Sequence, residues 1–189
     1  MLGMGSDTQA DPKAQIRASL RAARDAVGPR PRAAAATRLF ARLTGLQGAC
    51  IAGYLPIHGE VDPTGAMRVL SRDNSVCVPV VMGPGAPLRF REWRPGCAVE
   101  PGPFGVPVPV DGGWRIPDVL IVPLVGFDAS CARLGYGGGY YDRTLSGMGQ
   151  TRTFGLAVDA QRADALPVGA NDVRLDEVVT ETRVYRREE

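Results

Sequence analysis

The residues best suited to chemistry lie at 122–145, which read VPLVGFDASCARLGYGGGYYDRTL. A strand-like run is followed by a turn at 135–139, in which four of five residues are glycine, and then by a helical segment. Glycines let successive backbone N–H groups point toward one anion and let a phosphate approach closely, and the helix N-terminus adds partial positive charge. Neither GxxxxGK[ST] nor GxGxxG occurs here. The segment favours a phosphate site, and a tight turn that only packs is the alternative.

Asp142 strengthens the phosphate interpretation. It falls in the first turn of the helix after the glycines, where a carboxylate can hold Mg²⁺ within reach of bound phosphate oxygens. The alternative is structural, because acidic residues near a helix N-terminus are favoured by the helix dipole.

A stripe of cations runs along the first predicted helix, with Lys13, Arg17, Arg21 and Arg24 at spacings of four, four and three. Such a stripe is typical of a solvated basic face. The functional alternative is that some of these cations point into an anion site beside the helix.

Hydrophobic periodicity predicts the elements that must position these residues. Asp11 is expected to cap the first helix and Gly28-Pro29 to end it, with further helices at 31–43, 61–70 and 140–145. Strands are predicted at 49–55, 75–81, 88–92, 118–125, 153–158 and 177–185, and the Gly/Pro-dense stretch 94–117 is predicted to be loop or edge structure. Strands alternating with helices predict an α/β fold: an open, mostly parallel sheet in three layers, with helices on both faces. Ligands of such sheets bind beyond the carboxyl ends of the strands, where the glycine turn falls.

Composition limits the classes of function. The chain has 189 residues, 44% hydrophobic and 22% charged, with a net charge of +2, which is too small to indicate a nucleic-acid partner. The four cysteines show no CxxC pair or metal spacing, which is typical of incidental thiols in a reducing cytosol. No run reaches the length of a membrane helix. We expect a disordered leader at 1–11 and a single domain at 12–189 in a cytoplasmic monomer that binds neither nucleic acid nor membrane.

The run RLGYGGGYYDR at 133–143 resembles the signature of the 5-formyltetrahydrofolate cyclo-ligase family. Phe127-Asp128 fits the same family, and three further segments match it in the same order along the chain. These are the lysine–arginine pair at 13–17, the run at 54–62 that reads YLPIHGEVD, and the tail at 171–181. The resemblance therefore covers almost the whole chain and implies a fold similar to NagB, RpiA and the CoA transferases.

The resemblance implies a role for each matching residue. Asp142 and Asp172 would be the Mg²⁺ ligands, and Leu55 and Glu60 would contact the folate. ATP would be held by Lys13, Arg17, Arg133, Leu134, Gly135, Tyr136, Gly137, Gly138, Gly139, Tyr140 and Tyr141. Lys13, Arg17, Arg133 and Asp142 would act in catalysis. Arg21 and Arg24 gain no role and are expected to stay solvated or to meet acidic tails.

The implied reaction closes 5-formyltetrahydrofolate, with or without a polyglutamate tail, to 5,10-methenyltetrahydrofolate while ATP becomes ADP and phosphate. The formyl oxygen would attack the γ-phosphate to give an iminium phosphate, N10 would add to the activated carbon, and phosphate would leave. Phosphoryl transfer asks the protein mainly for positioning and charge neutralisation, which suits a chain with one histidine and no hydrolase elbow.

The folate half is less completely matched than the ATP half. Val108 stands where the family commonly has glutamate, and Glu60 would be an exposed loop acid were it not for the match. Phe90 and Trp93 are candidates for an aromatic wall beside the substrate, with core packing as the alternative, and we take Trp93 as substrate-binding. His58 could carry a proton, although a loop histidine is usually solvated.

Two other classes fit a glycine turn on an open sheet. One is a sugar-phosphate isomerase with Glu60 or Asp142 as base, which would show no ATP requirement. The other is a sensor that binds a phosphorylated metabolite, which would need an effector module and no metal.

Overall fold

The computed structural model describes residues 12–188. The leader predicted at 1–11 and the Asp11 cap lie outside the described residues. The helices are α1 Pro12–Asp25, α2 Pro29–Leu43, α3 Thr64–Leu70 and α4 Tyr140–Leu145. The strands are β1 Cys50–Ala52, β2 Ser75–Val80, β3 Arg89–Glu92, β4 Val99–Pro101, β5 Pro107–Pro109, β6 Trp114–Arg115, β7 Val119–Pro123, β8 Gly126–Phe127, β9 Arg133–Leu134, β10 Arg152–Leu156, β11 Glu177–Val179 and β12 Val184–Arg186.

An eight-stranded sheet in the order β12-β11-β10-β7-β1-β2-β3-β6 organises residues 12–188. The five central strands, from β11 to β2, pair in parallel, and β12, β3 and β6 add antiparallel edges. Two hairpins, β4–β5 and β8–β9, lie outside this sheet. The α/β prediction with a mostly parallel sheet is confirmed.

Both faces of the sheet are buried, as a parallel sheet requires. Ile51 and Ile121 face one side, where they pack with residues of α2 and α3 in one apolar cluster. Ala52 and Leu120, each one residue away, face the other side, where Leu145 of α4 joins a second cluster. Successive strand residues point to opposite faces, so near-continuous apolar runs are what this sheet needs.

Most element boundaries fall near the predicted ones, and one predicted strand is wrong. The single strand expected at 177–185 is two antiparallel strands, β11 and β12, joined by a tight turn. The Thr180 N–H donates to the carbonyl oxygen of Arg183 at 3.0 Å, which closes that turn. The turn sequence TETR contains no glycine or proline, so the usual turn signal is missing.

The four cysteines, all within the described part of the chain, are unbridged thiols. Within residues 12–188, no helix is both long enough and apolar enough to cross a bilayer.

Candidate active site

A cavity of about 490 Å³ opens at the carboxyl ends of the parallel strands β1, β2 and β7. Leu55 follows β1, Val81 follows β2, and Pro123 ends β7, and all three line it. The structure brings together on this cavity fifteen of the sixteen site residues predicted from sequence, which are Lys13, Arg17, Leu55, Glu60, Arg133, Leu134, Gly135, Tyr136, Gly137, Gly138, Gly139, Tyr140, Tyr141, Asp142 and Asp172.

The glycine turn lies directly on the first helix. Arg17 donates from Nε to the carbonyl oxygen of Gly135 at 3.0 Å. Gly137 has a φ of +103°, and a side chain there would start 3.7 Å from the Arg17 guanidinium carbon. Only glycine adopts such a backbone without strain, so the turn holds its shape and keeps its N–H groups accessible beside a cation.

Two ion pairs lie on the cavity wall, and the first of them connects α1 to the tail of the chain. Lys13 Nζ lies 2.6 Å from Asp172 Oδ2, and Arg133 Nη2 lies 2.9 Å from Asp142 Oδ1. The side chain of Arg133 is only 4% exposed. Burial by itself would raise the pKa of Asp172, but the Gly169 N–H and the Lys13 ammonium outweigh it and lower the pKa. Each of the two carboxylates therefore lies against a cation on the cavity wall.

The two aspartates fit a magnesium site that is completed by a nucleotide. Asp142 Oδ1 accepts the N–H of Val173, the residue after Asp172, at 3.1 Å, and both aspartates line the cavity. Among residues 12–188, no group of three or more metal-binding side chains occurs. Mg²⁺ in phosphate-transfer sites is commonly held by one or two carboxylates, with phosphate oxygens and waters completing the shell. The donor set is thus suited to a metal that arrives with a nucleotide.

Glu60 lies in a tight turn after β1 and faces the same cavity. Its Oε2 accepts the N–H of Ile57 at 2.9 Å, and its own N–H donates to the Ile57 carbonyl at 3.0 Å. Burial raises the pKa of Glu60, while hydrogen bonds from Ile57 and Tyr136 and the nearby Arg24 charge act in the opposite direction. The carboxyl is oriented by its own turn and is partly desolvated, which suits specific recognition of a donor-rich ring edge.

Trp93 is the predicted site residue that the cavity does not include. It is 7% exposed and packs in a cluster with Met67, Val76 and Val78, where Leu55 lies at the margin. Phe90 is also buried, in the cluster on the opposite face. Both rings pack as core residues, and Leu55, which lines the cavity, packs against the cluster that contains Trp93.

Phe104 and Val108 are among the lining residues that were not assigned to the site from sequence. Phe104 lines the cavity from the loop between β4 and β5, is 66% exposed, and meets the Tyr140 ring edge-on at 5.8 Å. Val108, at the position where an acid was expected, also lines the cavity, so this part of the wall is apolar.

The burial of Arg24 corrects the expectation that this side chain stays solvated or meets an acidic tail. Its side chain is 1% exposed and not solvated, whereas Arg21 on the same stripe is exposed. Arg24 donates to the hydroxyl of Tyr136 at 3.1 Å and to the carbonyl oxygen of His58. No sequence signal distinguished the two arginines, because the loop that buries Arg24 lies 34 residues further along.

Fold and site together define an α/β protein with a glycine turn and a group of cations on a cavity at the carboxyl edge of its sheet, where open α/β folds commonly bind their ligands. The sequence profile described as the 5-formyltetrahydrofolate cyclo-ligase family matches residues 9–181. The chain belongs to that family.

Individual relatives agree with this assignment. A 5-formyltetrahydrofolate cyclo-ligase of Mycolicibacterium smegmatis is 31% identical over 186 residues, covering 90% of this chain and 94% of the relative. One from Escherichia coli K12 is 33% identical over 160 residues, covering 80% and 88%. The solution structure of Aquifex aeolicus 5,10-methenyltetrahydrofolate synthetase superposes with a TM-score of 0.76 at 28% identity, covering 94% of this chain and 93% of the other. The isomerase and sensor alternatives are set aside.

Proposed function

We propose that this protein catalyses the ATP-dependent cyclisation of 5-formyltetrahydrofolate to 5,10-methenyltetrahydrofolate, with release of ADP and phosphate. The observation that carries the proposal is the convergence of two chemically different halves on one cavity. Cations, a glycine turn and two aspartates form one half, and Glu60 with Leu55 forms the other. A nucleotide and a ring with hydrogen-bond donors can therefore meet within a single cavity.

The nucleotide half binds the triphosphate of ATP. Lys13 and Arg17 approach from α1, Arg133 approaches from β9, and the glycine turn offers backbone N–H groups between them. Their positive charge is in place before the reaction begins, so it stabilises charge that develops on the transferring phosphoryl group without reorganisation.

The folate half orients the pterin. The carboxylate of Glu60 accepts from the donors of the aminopyrimidine edge, and Leu55 packs against the ring. Phe104 is exposed at the mouth of the cavity, where it can cover the bound substrate. Holding the formyl oxygen beside the γ-phosphate turns a bimolecular encounter into an intramolecular step.

The reaction itself balances in two steps. The formyl oxygen attacks the γ-phosphorus, ADP leaves, and an iminium phosphate forms. N10 then adds to the same carbon, the carbon–oxygen bond breaks, phosphate leaves with the former formyl oxygen, and the N10 proton goes to solvent. The protein has to orient the triphosphate and neutralise the charge of the transferring phosphoryl group, and Lys13, Arg17 and Arg133 do both.

Asp142 and Asp172 would hold Mg²⁺, which supplies charge neutralisation on the phosphate oxygens. Before the metal and nucleotide bind, Lys13 and Arg133 neutralise these carboxylates and keep them oriented. We further propose that the protein is a cytoplasmic monomer. The mechanism is the same for a folate with one glutamate and for a folate with several.

The test mixes purified protein with 5-formyltetrahydrofolate, ATP and Mg²⁺ and follows the near-ultraviolet absorbance of the methenyl product. Product formation that stops when any one of the three is omitted is the expected result. Mg²⁺-dependent ATP binding without product would keep the nucleotide half and contradict the folate assignment. Absence of both would contradict the whole proposal.

A further inference from the structure

A buried arginine connects the two halves of the cavity through a chain of hydrogen bonds. Arg24, near the end of α1, is the largest of the fully buried side chains among the described residues. Its Nη1 donates to the hydroxyl of Tyr136, which belongs to the glycine turn, and its Nη2 donates to the carbonyl of His58, in the turn that carries Glu60. One guanidinium thus contacts both ligand-binding loops, and its flat fork of donors suits that double contact.

Tyr136 completes the connection. Its hydroxyl accepts from Arg24 at 3.1 Å, and Tyr136 and Glu60 line the same cavity, where the hydroxyl lowers the pKa of the Glu60 carboxyl. The guanidinium therefore fixes a phenol on the same wall as the carboxylate that would recognise the pterin. A phenol polarised by a cation donates a stronger hydrogen bond, so this hydroxyl is suited to hold a carboxylate.

The turn at 57–60 needs such support because its backbone is strained. His58 has a φ of +49°, a left-handed conformation that residues with a side chain rarely adopt, and Gly59 follows at +76°. The carbonyls of both residues accept hydrogen bonds from arginines, His58 from Arg24 and Gly59 from Arg32. Arg32 in turn donates to the carbonyl of Arg24 at 2.6 Å, which ties α2 to the same cluster. Strained turns persist only where the surroundings fix them, and here two buried or half-buried guanidiniums do so.

We propose that Arg24 and Tyr136 are positioning residues that hold the Glu60 carboxylate for the folate and couple its turn to the nucleotide-binding glycine turn. This inference rests on the proposed function, since it assigns the folate to Glu60. It differs from the direct ligand roles above because the side-chain contacts of Arg24 are with Tyr136, His58 and Asp25.

Tyr136→Phe removes the shared hydroxyl and keeps the ring. The KM for 5-formyltetrahydrofolate is expected to rise about tenfold, as for the loss of one hydrogen bond to a charged group. The KM for ATP should change less than about twofold, because phenylalanine keeps the backbone N–H through which this position of the glycine turn would serve the nucleotide. The effect should be largely absent in a Glu60→Gln background, since the carboxylate that the hydroxyl holds is gone. Tyr185→Phe is the matched control, because Tyr185 lies on β12 against Phe127 and should leave both KM values unchanged.

The pH dependence of kcat/KM for the folate gives a second test. Its acid limb, where kcat/KM falls as Glu60 becomes protonated, would not shift if Tyr136 had only a structural role. The charged or titratable groups that influence Glu60 are Tyr136, Arg24, His58, Tyr54 and Tyr141. The Tyr136 hydroxyl lowers the pKa of Glu60, so its removal should move the acid limb to higher pH. The proposal would be overturned if Tyr136→Phe left the folate KM unchanged. It would also be overturned if the effects of Tyr136→Phe and Glu60→Gln on the folate KM were fully additive in the double variant.

Arg24→Lys tests the connection independently of turnover. Lysine keeps the charge and loses the fork, so amide hydrogen exchange should accelerate at both turns. The reporters are the N–H groups of Ile57 and Glu60, which are hydrogen-bonded within the first turn, and the N–H of Arg143, which donates to the Gly139 carbonyl of the second. Acceleration in neither turn, or equal acceleration throughout the chain, would overturn the connection even in a protein without cyclo-ligase activity. Wild-type protein that shows no turnover would instead refute the proposed function, so the two failures are distinguishable.

Discussion

Replacing Asp142 by asparagine separates the chemistry of the site from its stability. The change keeps the size of the side chain and an oxygen that can accept the Val173 N–H, now 3.1 Å from Oδ1. What disappears is one negative charge 2.9 Å from Arg133, whose side chain is 4% exposed. The buried guanidinium loses a charged partner, and the site loses a proposed magnesium ligand.

The magnitudes of these two losses differ. A hydrogen bond to a charged group is worth about 1.5–3 kcal/mol. For a chain of this size, each kcal/mol shifts Tm by roughly 2–4 °C, so Tm should fall by about 3–12 °C. If Asp142 stabilises charge in the transition state, kcat should fall by about 100- to 1000-fold, as when one electrostatic stabiliser is removed. A loss of folded protein at a temperature well below Tm cannot produce the second effect.

The assay measures initial rates of methenyl formation at saturating ATP and Mg²⁺, at least about 15 °C below the Tm of the variant. Asp164→Asn is the matched control, since Asp164 is exposed and outside the cavity, and it should leave kcat and Tm unchanged. An Asp142→Asn variant with kcat within about threefold of wild type would remove Asp142 from the reaction and refute its assignment as a metal ligand.

Three further predictions follow from the geometry. Lys13→Met should raise the KM for ATP about tenfold in steady-state kinetics and leave the folate KM unchanged, because the ammonium lies only in the nucleotide half. Equal effects on the two KM values would contradict the division of the cavity into a nucleotide half and a folate half. The folate kcat/KM should fall as the pH drops through the raised pKa of Glu60, because the ionised carboxylate is the acceptor, and a pH-rate series on Glu60→Gln should lack that limb. Gly137→Ala should cost about 1–2 kcal/mol of unfolding free energy in urea, because φ is +103°, whereas Gly65→Ala in α3, which meets nothing within 4 Å, should be neutral or stabilising.

The fold class was accessible from sequence because local patterns encode it. Apolar runs such as the one at 119–125 are buried on both faces, and the order of strands and helices leaves few topologies. The hairpin of β8 and β9 was missed, since its two-residue strands are too short to produce a period. The side chain of Asp128 stabilises that hairpin by accepting the N–H groups of Ser130 and Ala132, a local pattern without apolar periodicity.

The site was predictable to the extent that its residues are grouped in sequence. The run at 133–143 supplies the glycine turn and Asp142 together, and the resemblance added Lys13, Asp172 and Glu60. The residues that support the cavity without being predicted ligands could not be identified from the sequence. Arg24 and Arg21 look equivalent on the helix, and only the packing of the 57–60 turn buries one of them. Trp93 was assigned to the cavity by its residue type, and its burial in a separate apolar cluster depends on the three-dimensional packing of β2 and α3.

The central claim is that the formyl oxygen becomes an oxygen of the released phosphate. The direct measurement uses 5-formyltetrahydrofolate labelled with ¹⁸O in the formyl group, converts it with ATP and Mg²⁺, and determines the label in inorganic phosphate by mass spectrometry. The account predicts one ¹⁸O atom in each phosphate molecule formed. Unlabelled phosphate with the ¹⁸O in water would contradict it, because ATP would then have been hydrolysed without activating the formyl group.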